Sequence, residues 1–129
     1  MVTSPRVVPG HAPITWLLRA ERLTGPWTFQ PGGLVAADAS VARGGGGVVQ
    51  DGTRLIRPSQ DCSSVYGRAL LFNEMSSIDA DCYREQTICR IDAEWMPGLA
   101  AVHSYSRAGE WEAIDGGFRS TRRRQQKIA

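Results

Sequence analysis

Hydrophobic and polar positions alternate over short runs in this chain, and no stretch keeps the i, i+3, i+4, i+7 spacing of an amphipathic helix. Fourteen glycines and seven prolines cut the apolar segments apart, which predicts turns between short strands. The predicted fold class is all-β. A first strand is read over 14–21, closed by the turn Thr24-Gly25-Pro26-Trp27, where glycine permits unusual dihedrals and proline pre-sets one. A loop is expected over 30–40. Strands then follow at the spacing of a meander, over 45–50, 55–58, 68–74 and 86–91. Asp51-Gly52 joins the first two as a tight hairpin, and the run Ala69-Leu70-Leu71-Phe72 marks the third as a strand covered on both faces. Ser76 stands three residues before Asp79, the spacing that caps a short helical turn, so one is expected over 76–81. A last pair, 101–105 and 111–114, turns at Gly109, and regular structure is expected to end after Asp115-Gly116-Gly117.

Length limits this organisation. The 129 residues make one domain at most, read as a flexible segment over 1–13, a folded part over 14–118 and a basic tail over 119–129. With 42% hydrophobic and 22% charged residues the chain has the balance of a soluble globular protein. No window reaches the roughly eighteen uninterrupted apolar residues of a membrane span. Three cysteines without a C-x-x-C pair suggest neither a disulfide framework nor a zinc site, and a reducing, cytoplasmic setting is expected. The net charge of +2 conceals an asymmetry: Arg119, Arg122, Arg123, Arg124 and Lys127 sit in the last eleven residues, leaving a body of 10 basic and 13 acidic residues. The tail reads either as a solvated terminus or as a contact for an anionic surface. Nucleic-acid binding is disfavoured, because the body is acidic and lacks aromatics interleaved with basic residues.

Chemistry concentrates in RPSQDCSSVYG, residues 57–67. Arg57, Gln60, Asp61 and Tyr66 could hold a sugar, since a carboxylate and an amide bond vicinal hydroxyls while a phenol offers a stacking face. The competing reading is structural, with Arg57 paired to Asp61 and Asp61 bonding its own turn. Arg43, Glu74 and His103 are the remaining candidates to line such a site. Hydrolysis needs converging carboxylates, and Asp61 with Glu74 is the only pair nominated for it. His103 could serve as a hydrogen-bonding imidazole, while His11 supplies no second ligand at useful spacing, so no metal is expected. Cys62 lacks a visible basic partner and reads as an inert thiol. Gly44 to Gly47 precede no lysine, which excludes a phosphate loop, and no cofactor is expected. Trp27 and Trp111 are expected inside.

Three features occur in order: Leu23-x-Gly25-Pro26-Trp27, then Ala42-Arg43-x-Gly45-Gly46, then Asp51-Gly52-x-x-Leu55-x-Arg57-Pro58-x-Gln60-Asp61-Cys62-x-x-Tyr66-Gly67. Asn73-Glu74, Tyr83-x-Glu85, Trp95, Gly98, His103 and Ile114-Asp115-Gly116 follow. Together they resemble the C-terminal part of the N-terminal domain of glucosamine inositolphosphorylceramide transferases. The resemblance implies part of a five-bladed β-propeller related to arabinanase- and invertase-type folds, about one and a half to two blades of it. It implies a non-catalytic carbohydrate-related binding or accessory module with a sugar or sugar-nucleotide ligand, because sugar transfer in the plant proteins belongs to a separate domain. The alternative is a glycoside-acting enzyme completed by oligomerisation. Five blades need roughly 250 to 300 residues, so the chain reads either as a remnant or as one whose open edges pair with another copy or a partner chain. Gly44 to Gly47 replace an expected proline, which predicts a loosened segment there.

Overall fold

In a computed structural model of the chain, residues 2–3, 13–79 and 82–119 are described. They form antiparallel sheets and a single 3-10 turn, Ala93–Trp95. The strands in chain order are β1 (Val2–Thr3), β2 (Thr15–Arg19), β3 (Thr28–Ala36), β4 (Arg43–Gly44), β5 (Val49–Asp51), β6 (Arg54–Asp61), β7 (Ala69–Ile78), β8 (Tyr83–Asp92), β9 (Leu99–Ala108) and β10 (Trp111–Phe118). A five-stranded sheet in the order β4-β6-β7-β8, with β5 beside β4 on the same edge of β6, lies between a β1-β2-β3 sheet and a β9-β10 pair. Among the described residues no sheet closes on itself.

The central meander follows the sequence pattern. β5 and β6 pair Asp51 with Arg54 across Gly52-Thr53, and Gly52 takes φ +60° at the first central position, as a two-residue hairpin of the II′ kind requires. Both faces of β6 and β7 are covered, as the apolar run in β7 predicts. Pairing of Arg57 with Asn73, Ser59 with Leu71 and Asp61 with Ala69 puts these on one face. Ile56, Pro58, Gln60, Leu70 and Phe72 share the other. That second face packs on β9 through Leu70, Val102 and Tyr105, with Val49, Phe72, Leu99 and Ile114 around them.

Several expectations need correction. The loop expected over 30–40 contains most of β3, which runs through Pro31-Gly32-Gly33. As the outer strand of its sheet, β3 tolerates a proline with no ladder bond to donate there. The helical turn expected over 76–81 is absent in its described part, because β7 continues to Ile78. Asp79 instead caps the hairpin into β8, its carboxylate accepting from the Cys82 N–H at 2.9 Å. β10 extends past Asp115 to Phe118. Val2–Thr3 is a strand paired with β2 rather than part of a flexible segment. Trp27 is half-buried, and Trp111, on the outer strand of a pair that has no third member among the described residues, is 83% exposed. The glycines after Arg43 do not loosen the chain. Gly45 accepts from Tyr105 N–H at 2.7 Å, and a Cβ on Gly46 would stand 2.1 Å from the Tyr105 carbonyl oxygen, so the missing side chains are what let this segment lie against β9. Apart from Arg119, the basic tail lies outside the described residues. No described helix is long and apolar enough to cross a membrane.

Candidate functional site

The six candidate binding residues separate into two groups. Arg57, Gln60 and Asp61 are interior to the sheet, 2%, 6% and 3% exposed. Arg57 and Asp61 do not pair with each other: four residues apart on an extended strand, they are separated by roughly 13 Å. Arg57 instead holds Glu85 of β8 with a two-pronged contact, Nε to Oε2 at 2.7 Å and Nη2 to Oε1, and Nη2 also reaches the Val41 carbonyl. Tyr83 donates its hydroxyl to the same Glu85 carboxylate at 2.6 Å. Burial works against the Arg57 charge, but the bonds and the charge of Glu85 outweigh it and hold the guanidinium above its ordinary range. Burial, with Glu85 beside it, pushes the Tyr83 phenol up as well.

Asp61 anchors the other end of this face. Its Oδ1 accepts from Ser63 N–H and Oγ at 2.9 and 2.6 Å, and its Oδ2 from Arg90 Nη1 at 2.8 Å. Burial alone would raise its carboxyl; the Ser63 bonds and Arg90 reverse this and bring it to about 2. Between the two ion pairs Asn73 bridges the strands, giving Nδ2 to Arg57 O and Ser59 Oγ and accepting from Thr87. Gln60, on the apolar face, donates to Gly44 O at 2.9 Å. Apart from Arg57 Nη1, which is buried without a hydrogen-bond partner, the buried polar atoms of these side chains are engaged inside the sheet. Glu74 pairs with Ile56 while Asp61 pairs with Ala69, so the two nominated carboxylates lie on opposite faces and five residues apart along β6. Within one chain they cannot flank a glycosidic bond.

Arg43, Tyr66 and His103 form the second group, and the structure brings these together. β4 places Arg43 beside the end of β6, through its pairing with Gln60, and the loop between β6 and β7 carries Tyr66 out to 55% exposure. The Arg43 guanidinium lies over the Tyr66 ring, 4.8 Å from its centroid, and the His103 ring meets Tyr66 at 4.7 Å and a tilt of 32°. Gly67, at φ +67°, lets the loop close on β9: its carbonyl accepts from Val102 N–H at 2.8 Å, and a Cβ there would stand 2.7 Å from the imidazole. Only glycine meets both conditions at low cost.

Asp115 completes the group and was not a sequence candidate. A bulge in β9, where His103 and Ser104 together stand opposite Asp115, frees it from the ladder. Its Oδ1 accepts from the His103 and Ser104 N–H groups at 2.9 and 2.6 Å, and its Oδ2 stands 3.4 Å from His103 Nδ1. Burial raises the Asp115 carboxyl, but the two backbone donors and His103 outweigh it, and the group stays below the ordinary carboxylate range. The available signal was the Asp-Gly-Gly triplet, which fits an interrupted ladder as well as a strand end. Glu85, by contrast, alternates with Tyr83 and Thr87 in β8, a period that marks one shared face. No cluster of His, Cys, Asp and Glu among the described residues could hold a metal.

Taken as a class, this is an antiparallel β protein whose outward-facing polar constellation is a cation, a phenol and an imidazole in contact at one end of the central sheet. Compared with known proteins, the chain matches no family model, no curated protein and no solved structure.

Proposed function

We propose that the chain is a non-catalytic carbohydrate-binding or accessory module, built as part of a β-propeller, with Arg43, Tyr66 and His103 as its ligand-facing rim. The observation that carries this reading is their contact at an exposed end of the sheet, while Arg57, Gln60 and Asp61 are engaged inside it. The four-strand antiparallel meander from β5 to β8, with a further strand packed on its apolar face, has the layout of one blade followed by the start of another. The Tyr66 ring is contacted by Arg43 and His103, so sugar hydroxyls would be met at its hydroxyl edge and by the guanidinium donors. A glycoside-acting enzyme would need carboxylates from another chain, because Asp61 is held by Arg90.

The missing strands, on this reading, come from a second copy of the chain. The outer edge of β10 has no partner among the described residues, and a groove of about 280 Å3 that includes Glu112 of β10 is lined by apolar side chains such as Ile56, Phe72 and Ile88 together with the charged Asp51 and Arg107. Saturation-transfer NMR against a panel of mono- and disaccharides tests the binding function. Transfer to at least one sugar is expected, and its loss in Tyr66→Ala; a wild-type protein that takes up none of them refutes it.

A further inference from the structure

The way Arg43 is held points to a charged ligand. Arg54, Arg57, Arg68, Arg90 and Arg107 each face a carboxylate, and the described arginines without an ion pair, Arg19, Arg22, Arg84 and Arg119, are exposed, whereas Arg43 is half-buried. Arg43 has no salt-bridge partner among the described residues and instead holds its guanidinium carbon over the Tyr66 ring, 4.8 Å from the centroid. A cation–π contact engages none of the guanidinium N–H groups as a hydrogen bond to an acceptor atom, so the donor fork of Arg43 is left to match two oxygens of one anion. Backbone pairing of β4 fixes where the side chain starts, and the ring contact orients its head, so part of the ordering cost of binding is met before any ligand arrives. The acid of the rim, Asp115, has its Oδ1 on two backbone N–H groups and its Oδ2 turned to His103, and it forms no ion pair with Arg43.

We infer that the rim recognises a sugar bearing an oxyanion, a carboxylate or a phosphate, with Arg43 gripping the anion through two N–H donors and Tyr66 and His103 bonding the ring hydroxyls. This rests on the carbohydrate reading above and adds its charge requirement. The ligand class is an acidic or phosphorylated monosaccharide, and Arg43 is the residue that sets that choice.

Titration followed by 1H–15N NMR, with glucose, glucuronate, glucose 6-phosphate and inorganic phosphate as probes, tests it. At least one charged sugar should bind ~10- to 100-fold more tightly than glucose, the span of a charge-assisted hydrogen bond. Arg43→Gln should erase that preference, and Arg43→Lys should restore part of it, because a lysine keeps the charge and loses the fork. Shifts should centre on Tyr66, Gly67 and His103, and the spectra of the variants report that the fold is intact. Equal affinity for glucose and the charged sugars overturns the inference while leaving the carbohydrate reading in place. Phosphate alone binding as tightly as glucose 6-phosphate overturns the sugar component and, with it, the reading beneath. No binding of any probe by the wild type refutes both.

Discussion

Asp61 shows how a residue that looks catalytic on paper is put to structural use. Its carboxyl, brought from 3.8 to about 2 by Ser63 and Arg90 against the cost of burial, stabilises the charged form only in the folded state. A depressed pKa contributes stability above the unfolded value and loses it as pH falls through the folded one. Asp61 should therefore supply about 2 kcal/mol above pH ~4 that vanishes by pH ~2. Urea unfolding of wild type and Asp61→Asn at pH 6 and at pH 2.5 checks this: the gap between them should be large at the higher pH and much reduced at the lower. The sequence placed Arg57 and Asp61 in one block and suggested they pair, because nearness along the chain reads as nearness in space. In an extended strand it does the opposite at a spacing of four, and the true partners, Glu85 and Arg90, come from a strand about thirty residues on. No local pattern announces that distance.

At the scale of elements, the hairpin at Gly52, the double-sided burial of β7 and the β9-β10 pair were legible, since each follows from a turn residue or a hydrophobic run. β3 was not, because Pro31-Gly32-Gly33 has the composition of a loop and only the neighbouring β2 makes it a strand. The candidate rim was half legible: Arg43, Tyr66 and His103 were named from different segments, but their meeting depends on Gly67 closing one loop onto β9. Gly67 and Gly52 form a controlled comparison. Both have positive φ, yet a Cβ at Gly52 meets open space, while one at Gly67 strikes His103 and the Val102 carbonyl oxygen. Gly52→Ala should cost about 1 kcal/mol, and Gly67→Ala at least about 2 kcal/mol with a displaced His103 ring. Denaturant midpoints and the imidazole NMR signals give the two readings.

For the whole molecule, the decisive feature is a two-stranded sheet, β9 and β10, packed on the central sheet and unpaired along β10 among the described residues. Ile88 is 45% exposed at the groove, and Trp111 is exposed on the outer strand. If a second copy completes the sheet, the mass in sedimentation should rise with concentration, and Glu112→Pro should hold the protein monomeric. The Ala108–Trp111 pair closes a two-residue hairpin, so the Glu112 N–H points away from β9 and its loss spares the existing ladder. A mass that stays monomeric at every concentration would leave the edge unpaired and remove the oligomer proposal.

The two faces of β6 have a final consequence. One carries Arg57, Ser59 and Asp61 and the other Ile56, Pro58 and Gln60, with both sides sealed. A strand that slipped by a single residue would exchange the sets, driving a guanidinium and a carboxylate into the pocket of Leu70, Val102 and Tyr105 and stranding Glu85 without its counter-charge. Leaving a buried charge without its partner is severely destabilising, at about 3–5 kcal/mol each. The buried ion pairs thus act as a proofreading device during folding: they reject the misaligned sheet more strongly than they reward the correct one.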